Sequence, residues 1–211
     1  MSFKLFDLGV VDYQQAREFQ KSVFQDVACG RLPAAVILCQ HPAVITVGRS
    51  GKKENILADP EALKRRGIDI YDVERGGDVT YHGPGQQLVY PIINLAQGKK
   101  DIRYYLRSLE EVGLALLGAF GVTGLRKEGA SGVWVGNQKI ASLGIAIKQW
   151  ITYHGLAINI KNNDLSNFSF IRPCGMDITM TSLEGVLQRE VSMLQVKQTL
   201  TEDLLRRRLA L

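Results

Sequence analysis

Apolar residues recur along the chain with two different periods, which predict a mixture of helices and strands. After Asp12, a residue type that commonly caps helices, apolar side chains recur every three to four positions as far as Val27. Gly30 ends this predicted helix. The continuous apolar run from Ala34 to Gln40 predicts a strand that is buried on both faces. The pattern predicts further strands at 4–8, 44–48, 68–73, 88–95, 122–126, 132–135, 139–147 and 152–160.

Further helices are predicted at 59–66, 101–120, 181–187 and 201–209, and the turn Gly136-Asn137-Gln138 separates the two strands of a hairpin. Helices and strands do not alternate strictly, which is typical of an α+β fold. We therefore predict a single domain, residues 1–211, in which helices flank a mixed, largely antiparallel sheet.

The stretch from Arg75 to Pro91 departs from both periods. Its first dozen residues are polar and glycine-rich, and an apolar run from Leu88 to Leu95 follows. Glycine lets the backbone approach a ligand closely, and long ordered loops are often functional. We predict a loop that lies against a substrate and is anchored by the strand after it.

Composition and charge narrow the class of protein. Hydrophobic residues make up 45% of the 211 residues, enough for a core. The chain has no run of eighteen apolar residues and no secretory-signal pattern at its N-terminus, so neither a membrane span nor secretion is expected. The net charge of +5 is compatible with an acidic partner. Because the basic residues are dispersed, nucleic acid is not expected to be a partner.

The three cysteines form no C-x-x-C pair, which argues against a disulfide scaffold and a structural zinc site. A reducing compartment, the cytoplasm or an organelle matrix, is favoured, and we predict a cytoplasmic protein. Cys174 is a candidate nucleophile, since it lies in a Pro-Cys-Gly turn near Arg172. A small residue filling a turn is the alternative. Cys29, at a helix end, and Cys39, in a buried strand, are expected to be inert core cysteines.

Lys139 is the second candidate for chemistry. It enters a strand of small and apolar residues directly after the hairpin turn, where a lysine can be partly desolvated. Such a lysine can stabilise a thiolate or exchange protons with a leaving group. A solvated hairpin lysine is the alternative.

The spacing of the histidines, His41, His82 and His154, does not fit a metal site. His82 and His154 share the triplet Tyr-His-Gly, which suggests two loops that line one cleft, with chance recurrence as the alternative. Neither G-x-G-x-x-G nor G-x-x-x-x-G-K-S/T occurs, so no nucleotide site is predicted.

Taken together, five motifs resemble those of the lipoyl(octanoyl) transferases, which belong to the biotin/lipoate protein ligase superfamily. The resemblance covers most of the chain, but not the first helix or the tail after Leu187. The motifs, in chain order, are His41-Pro42-x-x-x-Thr46-x-Gly48-Arg49; Arg75-Gly76-Gly77-x-x-Thr80-Tyr81-His82-Gly83-Pro84-Gly85-Gln86 with Tyr90-Pro91; Gly132-Val133-Trp134-Val135 with Lys139-Ile140-Ala141-Ser142-Leu143-Gly144; Thr152-Tyr153-His154-Gly155-Leu156-Ala157-x-Asn159; and Pro173-Cys174-Gly175 before Thr181-Ser182-Leu183.

The resemblance implies roles for particular residues. Cys174 matches the nucleophile that carries the octanoyl group as a thioester, and Lys139 matches the lysine that lowers the pKa of that thiol and shuttles protons. The segments that match the wall of the acyl pocket comprise Arg75, Gly76, Gly77, Asp78, Val79, Thr80, Tyr81, His82, Ser142, Leu143, Gly144, Gly155, Leu156 and Ala157.

The resemblance also implies the reaction and its partners. The donor is an octanoyl thioester on the phosphopantetheine arm of acyl carrier protein, and neither ATP nor a metal takes part. The acceptor is a lysine of the lipoyl domains of 2-oxoacid dehydrogenase complexes or of the glycine cleavage H protein. A monomer is expected. The alternatives are an ATP-dependent lipoate or biotin protein ligase of the same fold and a non-catalytic module that binds lipoyl domains.

Overall fold

The computed structural model describes residues 3–173, 178–205 and 209. Ten strands follow one another along the described chain: β1 Lys4–Val10, β2 Ala34–Gln40, β3 Val44–Val47, β4 Asp69–Asp72, β5 Val79–His82, β6 Gln86–Ile93, β7 Leu125–Lys127, β8 Ala130–Val135, β9 Gln138–Lys148 and β10 Ile151–Asn159. The α-helices are α1 Tyr13–Ala28, α2 Pro60–Arg65, α3 Ile102–Ala119, α4 Leu183–Leu187 and α5 Met193–Thr199. A π-helical turn, Leu200–Leu204, continues α5.

The strands form two sheets. The larger sheet has seven strands in the order β1-β2-β6-β10-β9-β8-β7, and the smaller has three in the order β4-β3-β5. The pairs β1–β2 and β3–β4 are parallel, and the remaining neighbours are antiparallel. The prediction of an α+β fold with a mixed, largely antiparallel sheet flanked by helices is confirmed, although the strands divide between two sheets.

Helices cover both faces of the larger sheet. On one face, α1 packs its apolar stripe, Val23, Phe24 and Val27, against β2 and β6. On the other face, α3, α4 and α5 cover a larger core. Because both faces are covered, the central strands β2 and β6 are apolar along almost their whole length.

Short polar side chains set where the helices begin. The carboxylate of Asp12 accepts hydrogen bonds from the backbone N–H groups of Gln14 and Gln15, and Asp101 caps α3 in the same way. Ser182 caps α4. Each cap satisfies a donor that the first helical turn leaves unpaired.

The central strands β6 and β10 part next to a proline. Their regular pairing runs only from Leu156 opposite Val89 to Asn159 opposite Gln86, and Pro91 has no N–H to continue it. Beyond that point the hydroxyl of the buried Thr152 donates to the carbonyl of Pro91 at 2.8 Å and accepts from the N–H of Ile93 at 3.0 Å. The side chain of Thr152 therefore replaces missing sheet hydrogen bonds.

The structure corrects three details. The glycine-rich stretch is not one loop, because Val79–His82 pairs with β3 as strand β5. The last helical segment begins at Met193, capped by Ser192, and not at 201 as predicted, and residues 206–208 of the predicted helix lie outside the described residues. Cys29 is exposed at the end of α1, whereas it was expected in the core. None of the described helices is both long and apolar enough to cross a bilayer.

We predict that Thr152→Val lowers the free energy of unfolding by about 1–3 kcal/mol, because it leaves a buried N–H without a partner. Urea denaturation measures the change. Thr123→Val, at an exposed position, is the control and should change stability by less than about 0.5 kcal/mol. Equal effects of the two substitutions would contradict this account of the β6–β10 junction.

Candidate active site

A narrow cleft with a cavity volume of about 60 Å³ opens between the two sheets. Its walls come from β5 and the segment before it, from β9, and from β10. The lining residues are Tyr13, Arg75, Gly77, Asp78, Val79, Thr80, His82, Tyr90, Lys139, Ser142, Leu143, Gly144, His154, Gly155, Leu156, Ala157 and Pro173.

Residues 75–78, here called the 75–78 segment, connect the two sheets. The N–H of Gly76 donates to the carbonyl of Ile145 in β9 at 2.8 Å. On its other side the segment accepts hydrogen bonds from the loop after β3, with Arg49 N–H on the carbonyl of Arg75 at 2.9 Å and Gly48 N–H on that of Asp78 at 3.2 Å. One wall of the cleft is thus held to both sheets by backbone hydrogen bonds.

The guanidinium of Arg75 reinforces this connection from inside the protein. Its Nη2 donates to the carbonyl and to the hydroxyl of Thr46 at 2.7 and 2.9 Å, and Nη1 donates to the carbonyl of Gly76 at 3.0 Å. Arg75 and Thr46 are both buried. Hydrogen bonds from a charged donor are stronger than neutral ones, and they compensate the cost of burying the charge.

Two glycines allow the walls of the cleft to pack closely. A Cβ at Gly144 would lie 2.7 Å from Cδ of Arg75, and a Cβ at Gly155 would lie 2.3 Å from the carbonyl oxygen of Val89. Real side chains do not make such close contacts. Glycine at these positions therefore lets β9 and β10 approach the Arg75 side chain and β6.

Lys139 lies in the cleft with 5% of its surface exposed. Its Nζ lies 5.6 Å from the ring centre of Trp134, and a Cβ at Gly132 would lie 2.4 Å from its Cε, so Gly132 makes room for the side chain. Its backbone pairs with the chain at Thr179 and Thr181. The alternative of a solvated hairpin lysine is therefore wrong.

Cys174, the predicted nucleophile, lies outside the described residues, but the chain on either side of 174–177 is well anchored. Pro173 lines the cleft, and Arg172 N–H donates to the carbonyl of Asn55 at 2.7 Å. After the gap, the N–H of Lys139 donates to the carbonyl of Thr179 at 2.9 Å.

Two residues of the predicted pocket set do not line the cleft, as far as the described residues define it. The backbone N–H of Gly76 instead donates to the carbonyl of Ile145 in β9. Tyr81 points to the other side of β5, where its ring packs 5.4 Å from that of Phe168 and its hydroxyl accepts a hydrogen bond from Asn167. The remaining pocket residues lie together along the cleft.

The three histidines converge beneath the cleft. The ring of His41 lies 6.1 Å from that of His82, and the ring of Tyr90 lies 6.1 Å from His41 and 6.3 Å from His154. His82 and His154 line one cleft, as the two Tyr-His-Gly triplets suggested, although both lie in strands and not in loops. In the part of the chain that is described, no group of His, Cys, Asp or Glu side chains is arranged to hold a metal ion.

Glu74 is a partly buried carboxylate next to the cleft. Its Oε1 accepts a hydrogen bond from Arg17 at 2.6 Å, and its Oε2 lies 3.7 Å from Nε2 of His154. His154 and Arg17 hold the pKa of Glu74 well below its usual value. Burial lowers the pKa of His154 itself, because a buried ring is more stable without its charge.

Three lining residues were not identified from the sequence: Tyr13, Tyr90 and Pro173. Tyr13 is the first buried residue of α1. Its ring lies 6.3 Å from that of His82 and nearly parallel to it. A tyrosine on the apolar side of a helix is usually a core residue. The amphipathic period of α1 is the same whether Tyr13 lies in the core or lines a cleft, so the sequence pattern does not distinguish these two roles. Tyr90 and Pro173 stand inside motifs that the sequence did display.

Solved structures with the same architecture bind biotin, lipoate and ATP. A lipoate-protein ligase A bound with ATP superposes with a TM-score of 0.76 at 16% identity, over 99% of this chain and 86% of the other. A bipartite lipoate protein ligase from Thermoplasma acidophilum gives 0.75 at 17% identity, over 99% and 84%. At this level of identity the likeness defines the fold, that of the biotin and lipoate protein ligases.

Sequence comparison is more specific. Residues 12–205 match the model of the lipoyl protein ligase A/B catalytic domain. The octanoyltransferase of Syntrophotalea carbinolica is 46% identical over 192 residues, covering 90% of this chain and 87% of the relative. That of Syntrophobacter fumaroxidans is 42% identical over 203 residues, covering 96% and 89%. The chain therefore belongs to the lipoyl protein ligase A/B family, and these relatives within it are octanoyltransferases.

The buried histidines predict a loss of stability in acid. Burial lowers the pKa of His82 to about 3, below the value of about 6.5 expected for the unfolded chain. Between these values the unfolded state binds more protons, so the free energy of unfolding falls as the pH drops below about 6.5.

From about pH 7 to about pH 5 we expect the wild-type protein to lose about 2 kcal/mol more than His82→Phe. Urea denaturation at the two pH values measures the difference. His41 and His154 remain in both proteins, so the difference between the two losses reports the contribution of His82 together with its interaction with these two rings. Parallel losses in the two proteins would show that His82 is not held neutral by burial.

Proposed function

We propose that this protein is an acyltransferase that moves an octanoyl group from acyl carrier protein to a lysine of a lipoyl domain, with Cys174 as the nucleophile. One observation carries the proposal: the buried Lys139 and Pro173, the residue directly before Cys174, line the same cleft. The octanoyltransferase relatives, similar over most of the chain, support the reaction.

The reaction consists of two acyl exchanges. In the first, the thiolate of Cys174 attacks the carbonyl of the octanoyl thioester, the C–S bond to phosphopantetheine breaks, and the released thiolate takes up a proton. In the second, the lysine amine attacks the new thioester, an amide forms, and the amine proton ends on the sulfur of Cys174. A thioester exchanges for a thioester at little cost, and amide formation then runs downhill, so no ATP is needed.

Lys139 is the residue we assign to lowering the pKa of the Cys174 thiol. An ammonium group near a thiol favours the thiolate, which is the reactive form. The backbone of Lys139 also pairs with residues 179–181 through Thr179 and Thr181, so its strand is tied to the chain that follows the nucleophile. A lysine on a paired strand has a well-defined position relative to the cleft.

The cleft offers apolar surface for an alkyl chain. Val79, Leu143, Leu156 and Ala157 all contribute to its walls. Each methylene that leaves water for such a surface contributes about 0.8 kcal/mol, so an eight-carbon chain gains several kcal/mol. The net charge of +5 would favour encounter with an acidic carrier protein.

A second candidate is an ATP-dependent ligase, since a lipoate-protein ligase A with bound ATP shares the fold. A ligase needs ATP to activate a free acid, whereas a transferase starts from a thioester. Loading from free octanoate and ATP, with no requirement for Cys174, would favour the ligase. A module that only binds lipoyl domains would acylate neither itself nor its partner.

We predict that mixing the protein with octanoyl-acyl carrier protein adds one octanoyl group to Cys174, released by hydroxylamine. Cys174→Ser should lower the overall transfer rate by about 10³-fold or more, since loss of a nucleophile has effects of this size. Intact-protein mass spectrometry measures the adduct. Cys29→Ser, at the exposed position directly after α1, is the control and should be loaded normally. Wild-type turnover by Cys174→Ser would rule out the covalent route.

Lys139→Ala should move the midpoint of the Cys174 alkylation rate up by about 1–3 pH units, because the thiolate loses its nearby positive charge. Iodoacetamide labelling against pH measures this midpoint. Lys127→Ala is a matched control: its Nζ also lies over the Trp134 ring, at 4.5 Å, but Lys127 is on β7, which β8 separates from the strand of Lys139. The same midpoint in Lys139→Ala and wild type would remove Lys139 from this role.

A further inference from the structure

A chain of buried side-chain hydrogen bonds runs from a backbone carbonyl to the cleft. It begins at the carbonyl of Thr181, which can only accept, so the side-chain NH₂ of Asn159 faces it, at 3.0 Å. The amide oxygen of Asn159 must then face Gln86, whose Nε2 lies 2.8 Å away. That nitrogen is also 3.4 Å from the carbonyl of Tyr81, a second group that only accepts.

The direction of these bonds fixes the protonation of His82. With its NH₂ turned to Asn159 and Tyr81, Gln86 presents its oxygen to Nδ1 of His82 at 2.6 Å. An amide oxygen cannot donate, so Nδ1 carries the hydrogen. Because burial keeps the ring neutral, with its pKa lowered to about 3, Nε2 holds a lone pair.

This lone pair is an acceptor, whereas the two cationic side chains that line the same cleft, Arg75 and Lys139, can only donate. His41, although in contact with His82, is satisfied within the protein: one ring nitrogen is 2.8 Å from the carbonyl of Val11 and the other 2.9 Å from the hydroxyl of Tyr90. His41 serves the fold, and His82 lines the cleft.

The octanoyl chain has no donor that could use such an acceptor. The incoming lysine amine does, and its N–H groups become more acidic as the nitrogen attacks the thioester carbonyl and gains positive charge. An acceptor that holds one N–H therefore stabilises the transition state more than the ground state. It also turns the nitrogen lone pair toward the carbonyl.

We propose that Nε2 of His82 accepts a hydrogen bond from the acceptor lysine of the lipoyl domain during the second acyl transfer, and that Gln86 and Asn159 are positioning residues that fix its tautomer. The inference rests on the proposed function. His82 orients the amine and stays neutral throughout, while the amine proton ends on the thiolate of Cys174.

Single-turnover kinetics separate the two transfers. The protein is first loaded by octanoyl-acyl carrier protein, purified as the acylated form, and then mixed with an unmodified lipoyl domain. We expect His82→Phe to slow transfer about 10- to 100-fold more than it slows loading, as for loss of a hydrogen bond to a group that carries charge. The control is Asn167→Ala, which removes the hydrogen bond to Tyr81 on the opposite side of β5 and should leave both rates unchanged.

The results distinguish failure of the inference from failure of the proposed function. If wild-type protein does not become acylated at Cys174, the proposed function itself is wrong. If loading is normal and transfer by His82→Phe is as fast as wild type, only the role of His82 is wrong. Slower loading by His82→Phe with unchanged transfer would instead mean that Nε2 of His82 accepts a hydrogen bond from the phosphopantetheine donor. That result would overturn the proposal.

Nitrogen NMR of histidine tests the tautomer independently of activity. We expect His82 of the wild-type protein to show the Nδ1–H tautomer, and Gln86→Leu to lose this preference. A merely structural role of Gln86 would alter stability without changing the tautomer. An Nε2–H signal for His82 in the wild-type protein would overturn the proposal, whatever the kinetics of the variants.

Discussion

The hydrogen bonds of the 75–78 segment join the two sheets, and the cleft depends on them. The segment binds β9 through the N–H of Gly76, and the guanidinium of Arg75 reaches back into the smaller sheet to Thr46. A charged group in this position is costly unless its donors are satisfied, and here two carbonyls and a hydroxyl accept from it. Separating the small sheet from the large one would therefore leave the buried guanidinium of Arg75 without its hydrogen-bond partners.

Most of the polar side chains beneath the 75–78 segment have fixed hydrogen-bond partners. Three histidines meet there, and both ring nitrogens of His41 and Nδ1 of His82 face carbonyl, hydroxyl and amide groups. Hydrogen bonds of this kind have a direction, and the direction is set by backbone carbonyls that can only accept. The polar groups beneath the cleft therefore have fixed positions and fixed donor or acceptor roles. An acyl transfer benefits from such fixed groups, because charge develops at particular atoms of the reacting groups.

Much of this structure could be predicted from local sequence signals, and the rest depends on distant contacts. The caps Asp12, Asp101 and Ser182 and the hairpin turn at 136–137 are local, so the helices and the β8–β9 hairpin were found. Strand β5 was missed because it has four residues and follows glycines, and only its pairing with β3 makes it a strand. Ser192 begins α5 with a glutamine three residues later, a capping pattern that was present and overlooked.

The meeting of the histidines has no local signal, since His41, His82 and His154 lie on separate parts of the chain. Lys139 was identified because small residues follow it, and its burial behind Gly132 is a property of the folded sheet.

The central claim is that the cleft between the two sheets holds the octanoyl group on Cys174. A crystal structure of the octanoyl-loaded protein tests it most directly. The account predicts an alkyl chain joined to Cys174 that runs between the 75–78 segment with β5 on one side and Leu143, Leu156 and Ala157 on the other. A chain that lies instead in the surface groove between α1 and Tyr153, or an acyl group on another side chain, would contradict it.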